Sequence, residues 1–461
     1  MKKENTVHKP GTLKRSMKMF GALLITLSVV TPASSVFIVA PGVIQQAGTG
    51  AFLSFAAAAV VGIFTAFVYA ELSSAFPLTG GEYTIVGRIL GPLLGFIVLG
   101  LNIVTLILVV AVLALGVNAY LGALIPNLPT IPTAIATIVM ATLFAVLNIR
   151  TNAVITGIFL AIELLALVVL AVLGFTHISH PFGDFIFHPV HLAGTGAIEP
   201  VSIGLIGLAT SVAIFAYNGY GTAVYLGEET HDAPRHIARA ILWSLVVTII
   251  AEAVPVTAVL LGADDLKALF GSQNMFSDFI AARGGTTLGA VTSLGVALAI
   301  INANIASMCI VARMLFSTGR DHVWPRSLNR ALTRIHKNWH SPWVATLICG
   351  ALASAACFID LNLLLVITGT TIVVIYASLC IAVIAGRRNG KTGHGHYRMP
   401  LYPLPPIIAF CFLGYVIYAN YLDPEVGRPS LFATAGIIAV SVLYYSLVLR
   451  RRGGWMLRGP E

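Results

Sequence analysis

Residues 27–46 read LSVVTPASSVFIVAPGVIQQ, and this stretch decides how the chain folds. Its flanks are apolar enough for a membrane-spanning helix, whereas its middle, residues 31–35 (TPASS), contains a proline and three hydroxyl side chains. Proline lacks the amide hydrogen of a helical residue, and its ring clashes with the carbonyl of the preceding turn. The sequence therefore predicts a helix that is interrupted near its centre.

The composition of the chain indicates a membrane protein. Hydrophobic residues make up 57% of the 461 residues, charged residues only 10%, and the mean hydropathy is +0.91. Apolar runs of about 18 to 25 residues are long enough to cross a membrane as helices, whereas the strands of a barrel would alternate polar and apolar residues. We expect an all-α membrane protein with twelve transmembrane helices. They are predicted to begin near Phe20, Ala51, Leu93, Ile131, Val154, Ser202, Ile237, Leu288, Trp343, Leu363, Pro405 and Leu431.

The basic residues predict the orientation of these helices. If the amino terminus is cytoplasmic, 24 of the 27 Lys and Arg residues lie in inner segments, and only Lys267, Arg283 and Arg428 lie outside. Such a bias is the positive-inside rule. We expect a multi-pass protein of the inner (cytoplasmic) cell membrane with both termini in the cytoplasm. The net charge of +9 then comes from inner basic segments that set the orientation and can contact anionic membrane lipid. No nucleic-acid partner is expected.

A second predicted helix is interrupted in the same way. Residues 209–230 read ATSVAIFAYNGYGTAVYLGEET, with Asn-Gly-Tyr-Gly at 218–221. The two glycines and the asparagine weaken the helix at this point about as much as Thr31 and Pro32 weaken the first one. The two interruptions lie five spans apart, and an odd offset inverts the second copy relative to the first. We expect inverted five-helix repeats at about 18–176 and 201–388, with two extra helices at about 403–450.

Interrupted membrane helices have a physical cost. Each backbone N–H or C=O group left unsatisfied in lipid costs several kcal/mol, so a break is tolerated where it faces protein, water or ligand. The amino terminus of a half-helix suits an anionic group, and freed carbonyls suit a cation or an amine. A proline kink satisfied by Ser and Thr side chains is the alternative. Two breaks at matching positions favour a substrate-binding site.

Four segments of the chain resemble a known family. They begin at Gly21 (GALLITLSVVTPASSVFIVAPGV), Phe67 (FVYAELSSAFPLTGGEYTIVGRILG), Tyr217 (YNGYGTAVYLGEETHDAPRHIARAI) and Val311 (VARMLFSTGRDHVWP). From about residue 17 to 450 the chain resembles the amino acid–polyamine–organocation (APC) transporter family. The resemblance implies one transmembrane transporter domain over 1–461 with the leucine-transporter fold. It also implies a secondary permease that moves an amino acid or a related small amine by alternating access, with its substrate held at the two breaks.

The predicted substrate-binding residues surround these breaks. Family members that bind α-amino acids commonly carry a Gly-Ser-Gly-type first break, and this chain has none. Its two serines can still offer N–H and hydroxyl donors to a carboxylate, and carbonyls near 215–218 can accept from an amine. An aromatic side chain before the second break could cover the substrate or stack on an amine. The predicted set is Thr31, Ala33, Ser34, Ser35, Asn102, Phe215, Ala216, Tyr217, Asn218 and Gly219.

Charged residues within spans are costly and often functional. Glu163, in the middle of span five, could bind and release a proton during transport, or could stay hydrogen-bonded to a neighbouring helix. Glu252, in the outer half of span seven, could attract a cationic substrate or line the outer vestibule, and we favour the vestibule. Glu71 and Glu82 bracket the inner end of span two near Arg88, which predicts an inner gate or an ion pair.

The driving force is expected to be a proton gradient or exchange. Asn302 falls about where sodium-dependent members of the resembled family place a hydroxyl ligand, but an Asn there also makes ordinary interhelical hydrogen bonds. Sodium is therefore possible but disfavoured. The sequence contains no Walker-type phosphate loop, metal-ligand motif or nucleophile–base pair, so no cofactor, resident metal or catalytic residue is expected.

Two other functions stay open at this point. One is a transporter of a polyamine or another cationic amine without a carboxylate, which the missing glycines favour. The other is a membrane sensor that binds its ligand without transporting it. The sequence leaves the identity of the solute and the oligomeric state open.

Overall fold

The computed structural model describes residues 13–122, 125, 127–272, 274–424, 427–452, 455 and 457. The described part of the chain is almost entirely helical, as predicted. The helices of its first half are α1 Met19–Val30, α2 Pro32–Ser34, α3 Ala40–Ala47, α4 Ala51–Ala75, α5 Glu82–Leu90, α6 Pro92–Leu121, α7 Thr130–Ala145, α8 Ile149–Phe175, α9 Phe182–Phe187 and α10 Ile203–Ala216.

The second half is built in the same way. Its helices are α11 Ala233–Gly262, α12 Leu266–Gly271, α13 Met275–Gly284, α14 Thr286–Arg320, α15 Arg326–Leu332, α16 Trp343–Ala356, α17 Leu361–Arg388, α18 Leu404–Leu422 and α19 Gly427–Tyr444. Short π-helices cover Ser35–Val39 and Tyr445–Leu449, and 3₁₀ helices cover Gly48–Gly50, Tyr220–Glu229 and Arg450–Arg452. Between α9 and α10, β1 (Val190–Leu192) and β2 (Ile198–Pro200) pair in an antiparallel hairpin.

Each of the twelve predicted spans corresponds to a helix that begins within five residues of the predicted start. The largest difference is at α8, which begins at Ile149 although its apolar run suggested Val154. The reason is a helix cap, because the Asn148 side chain accepts a hydrogen bond from the Thr151 amide at 2.8 Å. A polar cap starts a helix before its hydrophobic periodicity becomes visible.

Nine apolar helical stretches in the described residues are long enough to cross a membrane. One of them, Met19–Ala75, has 57 residues, more than twice what a single crossing needs. The chain turns within this stretch at the Gly48–Gly50 3₁₀ helix. Two further apolar helices, Thr130–Ala145 and Trp343–Ala356, are shorter. The described part of the chain has the structure of a multi-pass membrane protein whose spans are all helical.

Both predicted interruptions are present. Helix α1 ends at Val30, Thr31 adopts a left-handed φ of 48°, and α2 starts at Pro32. Helix α10 ends at Ala216, Gly219 has a φ of 116°, and the chain continues as a 3₁₀ helix. The first break is therefore one residue wide, while the second extends over a turn.

The interrupted first helix lies inside the bundle. Helix α1 packs against α8, α11 and α14, and α11 also packs against α4 and α8. The backbones of α8 and α11 touch where Gly174 faces Gly262, since a Cβ atom on Gly262 would lie 2.5 Å from the Gly174 carbonyl oxygen. Small residues allow such close approach of membrane helices. This packing removes the first break from lipid.

Candidate functional site

A cavity of about 190 Å³ lies where the two interruptions meet. Eight of the ten predicted binding residues line it: Thr31, Ser34, Ser35, Asn102, Phe215, Ala216, Asn218 and Gly219. The other two, Ala33 and Tyr217, do not contribute to the lining. Ala33 is fully buried, and the Tyr217 ring packs on Phe55 at a centroid distance of 5.7 Å, with its hydroxyl donating to the Phe55 carbonyl.

The two breaks are in direct contact. The Ser35 hydroxyl donates to the Ala216 carbonyl at 2.9 Å. A Cβ atom on Gly219 would lie 3.0 Å from the Cα atom of Val30, the last residue of α1. The backbones of both interrupted helices therefore meet at one side of the cavity.

Glu163 of α8 caps the second half of the first interrupted helix. Its Oε1 atom accepts the Ala33 amide at 2.9 Å and the Thr31 hydroxyl at 3.0 Å. The Ser34 hydroxyl lies 2.9 Å from the Thr31 hydroxyl. Glu163 is fully buried, and its Oε2 atom has no hydrogen-bond partner within the described chain. A carboxylate of the protein itself thus occupies the start of α2.

This cap corrects the prediction that a substrate carboxylate rests on the amides of both serines. The Ser35 amide donates to the Thr31 carbonyl at 3.1 Å, and the preceding Ala33 amide is taken by Glu163. This chain has Thr-Pro-Ala-Ser-Ser where family members that bind α-amino acids commonly have a Gly-Ser-Gly-type break. It therefore forms a regular turn after Pro32, and its backbone amides donate to groups of the protein itself. The prediction that a substrate carboxylate binds a serine amide therefore depends on the Ser34 amide.

The second break also satisfies its amides internally. The Asn218 amide donates to the Phe215 carbonyl at 3.1 Å, and the Gly219 amide donates to the Asn218 side chain at 2.8 Å. The carbonyl oxygens of Phe215 and Ala216 thus each accept one internal hydrogen bond, and a carbonyl oxygen has two lone pairs. The breaks consequently offer acceptors to an amine more readily than donors to a carboxylate.

One end of the cavity carries a polar cluster that the sequence did not reveal. Glu82, at the first position of α5, accepts the Tyr69 hydroxyl at 3.0 Å and the Asn102 amide group at 3.4 Å. Tyr376 of α17 lies beside them and donates its hydroxyl to Asn218. Glu82, Tyr69, Asn102, Tyr225 and Tyr376 all line the cavity. The glycine-rich residues 79–81 before Glu82 could have indicated from the sequence that Glu82 is functional. The tyrosines of the cluster come from distant parts of the chain and could not be assigned in this way.

Glu71, for which the sequence predicted an inner gate or an ion pair near Arg88, forms an ion pair with Arg387. Its carboxylate receives two hydrogen bonds from Arg387 of α17, at 2.6 and 2.7 Å, and one from the Met399 amide at 2.8 Å. The neighbouring Arg88 does not form this pair. The contact ties the end of α4 to the end of α17, two elements that are 316 residues apart in sequence.

The vestibule prediction for Glu252 is wrong. Its side chain is fully buried beside Ser35, because α11 is covered by α1, α4 and α8. Asn302 likewise lies away from the cavity lining. Its side-chain amide donates to the Thr156 carbonyl of α8 at 3.1 Å, the same carbonyl that accepts the Ser28 hydroxyl. This is the interhelical bond that the sequence allowed as the alternative to a sodium ligand.

A buried ion pair lies beyond the second break. Arg313 of α14 forms a two-point contact with Glu229, and the exposed fractions of the two side chains are 0% and 2%. The Glu229 carbonyl accepts the amides of Ser16 and Met17 in the amino-terminal segment. Arg320 and Glu228 form a neighbouring pair at 2.6 Å. The sequence did not predict these pairs, because the positive-inside rule already accounts for Arg313 as an inner basic residue.

The contact between the breaks leads to a first prediction. Gly219→Ala is expected to destabilise the protein and to weaken solute binding, since Ala at a positive φ costs roughly 1–2 kcal/mol and its methyl group would press on Val30. Thermal unfolding in detergent and solute-induced stabilisation measure both effects. Gly369→Ala is the matched control, because its Cβ atom would have nothing within 4 Å and alanine favours a helix by about 1 kcal/mol. Equal behaviour of the two variants would contradict the prediction.

The chain is similar in sequence to known transport proteins. A family model described as "Amino acid permease" matches residues 17–448. The chain is 24% identical to the branched-chain amino acid permease BcaP of Bacillus subtilis, with 89% of this chain and 90% of that protein covered. It is also 24% identical to the low-affinity putrescine importer PlaP of Escherichia coli K12, with 76% and 77% covered. The methylthioribose transporter of B. subtilis is 24% identical, with 96% and 95% covered.

These relatives are membrane transporters of small molecules, and the resemblance that the sequence suggested is confirmed. Since the family match extends over nearly the whole length of the 461 residues, this multi-pass membrane protein belongs to the amino acid permease family of the APC superfamily.

Proposed function

We propose that this permease is a secondary active transporter that moves an amino acid or related small amine across the cytoplasmic membrane by alternating access. One observation carries the proposal: the two interrupted helices meet at a cavity, and eight of the predicted binding residues line it. Discontinuous membrane helices that face a cavity are the usual setting for the substrate site of a secondary transporter. The permease relatives support the same function.

The proposal includes twelve spans in a leucine-transporter fold. Met19–Ala75 counts as two crossings that are joined by the turn at Gly48–Gly50, and α7 and α16 count as short crossings. The breaks then lie in the first and sixth spans, as expected for inverted repeats of five helices. The positive-inside bias supports cytoplasmic termini.

In this orientation the cavity belongs to an outward-facing state. Its lining extends from the breaks along α6 to Leu113 and along α17 to Leu365, both in the outer halves of their helices. The path on the cytoplasmic side is closed by the Glu82 cluster and by the pair of Arg313 and Glu229. Alternating access would require these inner contacts to separate while the outer halves close.

Glu163 is the proposed proton carrier. Its carboxyl group touches the first break through Thr31 and Ala33, so a change in its protonation alters the hydrogen bonds that set the geometry of α2. Another buried carboxyl group, Glu252 of α11, lies close enough to interact electrostatically with Glu163. A carboxyl at the moving interface is a direct way to link proton binding to access, and sodium is not required.

The charge of the cavity favours a solute with a positive amino group. Glu82 is the one charged residue among the described residues that line the cavity, and most others are apolar. The amides at the breaks are largely satisfied within the protein, while carbonyl oxygens retain acceptor capacity. A cationic amine without a carboxylate is the second candidate, because Glu163 already occupies the Ala33 amide.

Transport assays in proteoliposomes test the proposal. The purified protein would be given labelled leucine, putrescine or methylthioribose, with an imposed pH gradient and with a protonophore as control. We expect uptake of at least one amine-bearing solute that rises with the gradient and collapses with the protonophore. Saturable binding in detergent without counterflow would instead identify a sensor, and uptake of methylthioribose alone would contradict the requirement for an amine.

A further inference from the structure

We propose that the cytoplasmic end of the cavity is an ammonium site, in which Glu82 and the rings of Tyr69, Tyr225 and Tyr376 hold a terminal amino group of the solute. The inference rests on the proposed permease function and narrows its substrate class. The solute would carry a primary amine at the end of an aliphatic chain, as in a diamine or a diamino acid.

The carboxylate of Glu82 lacks a positive partner. Glu82 is 5% exposed and lines the cavity. Its two oxygens accept hydrogen bonds from Tyr69 and Asn102, which are neutral donors, and no salt bridge joins it to a cation in the described residues. These bonds hold the carboxylate in place without adding positive charge. A buried carboxylate without a counter-charge is costly, so a cationic ligand there gains both Coulombic and hydrogen-bonding stabilisation.

Aromatic rings surround this carboxylate. The rings of Tyr69 and Tyr376 meet edge to face with centroids 5.4 Å apart, and the Tyr220 ring also meets Tyr69 edge to face, with centroids 6.1 Å apart. A cation near the face of a tyrosine ring is attracted by its quadrupole, by more than at the surface when the site is desolvated. Carboxylate and rings together therefore form a recognised environment for an ammonium group.

Two glycines fix the position of the rings. A Cβ atom on Gly81 would lie 2.6 Å from the Tyr225 ring, and one on Gly221 would lie 2.7 Å from the Tyr69 ring. Each ring thus packs directly against a backbone that lacks a side chain. The site is preorganised, and a ligand that enters it does not have to order these side chains.

The apolar part of the cavity lining determines what connects the amine to the rest of the solute. Apart from the polar groups at the breaks and around Glu82, the lining includes Val30, Leu106, Val109, Ile372 and Ile375. This surface suits methylene groups and offers nothing to a charged chain. A solute that places one polar end at the breaks and an amino group at Glu82 needs an aliphatic segment between them.

A pair of isosteric ligands tests the inference directly. L-Lysine and L-6-hydroxynorleucine have the same length and the same α-amino acid group for the breaks, but only lysine has an amino group at the end of its side chain. Competition of the two ligands against labelled lysine in detergent-purified protein is expected to show that the wild type prefers lysine by about tenfold or more. Glu82→Gln should remove this preference and still bind L-6-hydroxynorleucine. Glu199→Gln, at an exposed position of β2, is the matched control for loss of one negative charge and should keep the preference.

The possible outcomes separate this inference from the proposed function. An unchanged preference in Glu82→Gln would overturn the ammonium site. If the wild type does not discriminate between the two ligands but transports an amino acid with an uncharged side chain, the ammonium site is also wrong while the permease function stands. If no amine-bearing solute is transported at all, the proposed function itself fails. Because the comparison of ligands on the wild type requires no mutation, the test holds even if Glu82→Gln does not fold.

Discussion

Glu163→Gln is expected to abolish accumulation of solute driven by a pH gradient and to leave solute exchange intact. A difference of one pH unit supplies about 1.4 kcal/mol per proton, which supports up to about tenfold accumulation if one proton moves with each solute. Without a proton carrier, the ratio of solute inside to outside should fall to one. Proteoliposome uptake and counterflow measure the two activities separately.

The substitution separates proton chemistry from structure. The side-chain oxygen of Gln can still accept the Ala33 amide and the Thr31 hydroxyl, so the cap on α2 is preserved. The amide group does not take up or release a proton near neutral pH. Loss of coupling with retained exchange would therefore point to the proton and not to a collapsed break.

Glu252→Gln is the matched control, since it removes the other buried carboxyl near the first break. Glu252 lies beside Ser35 but, unlike Glu163, does not bond to Thr31 or Ala33 at the break, so its replacement is expected to leave accumulation at the wild-type level. The reverse pattern, in which Glu252→Gln uncouples transport and Glu163→Gln does not, would assign the proton to α11. Coupled accumulation in both variants would remove carboxyl-based coupling at this site.

Arg313→Met is expected to cause the largest loss of stability. It leaves the Glu229 carboxylate buried at 2% exposure without its counter-charge, and breaking a buried pair in this way typically costs about 3–5 kcal/mol. The Cys309 carbonyl loses a hydrogen bond from Arg313 as well. A marked fall in the apparent melting temperature of the detergent-solubilised protein measures the effect.

A double variant distinguishes the stranded charge from lost packing. Arg313→Met combined with Glu229→Met removes both charges, and such apolar replacements of a buried pair are often neutral, so stability should largely recover. Arg235→Met provides the control, because Arg235 and Asp232 form an exposed pair at 3.7 Å that contributes about 0–1 kcal/mol. A double variant that is less stable than Arg313→Met alone would contradict the argument.

Much of the fold follows from the sequence because the deciding interactions are local. In lipid, each crossing must form hydrogen bonds among its own backbone N–H and C=O groups. An apolar run of sufficient length therefore becomes a helix whatever it packs against. For the same reason Pro32 and the glycines at 219 and 221 mark the breaks, since they change the backbone of their own turn. The residues around the breaks could therefore be predicted as cavity residues.

The partners of the buried charged groups could not be predicted in this way. Glu163 was expected to act alone or to bond to an unspecified helix, and Glu82 was placed beside Arg88. In the structure Glu163 caps a helix start 130 residues away, and Glu82 faces tyrosines from α4, the 3₁₀ helix and α17. Glu252 was assigned to a vestibule because its depth in the span is visible in the sequence, whereas its burial is not.

The sequence by itself determined that this protein crosses the membrane as helices and that two of those helices are broken. Only the tertiary structure decided which side chains enter the cavity and which acid meets which donor. Helix formation depends on each segment and its solvent, but the rotation and depth of a packed helix depend on all its neighbours. The roles proposed for Glu163 and Glu82 follow from that packing.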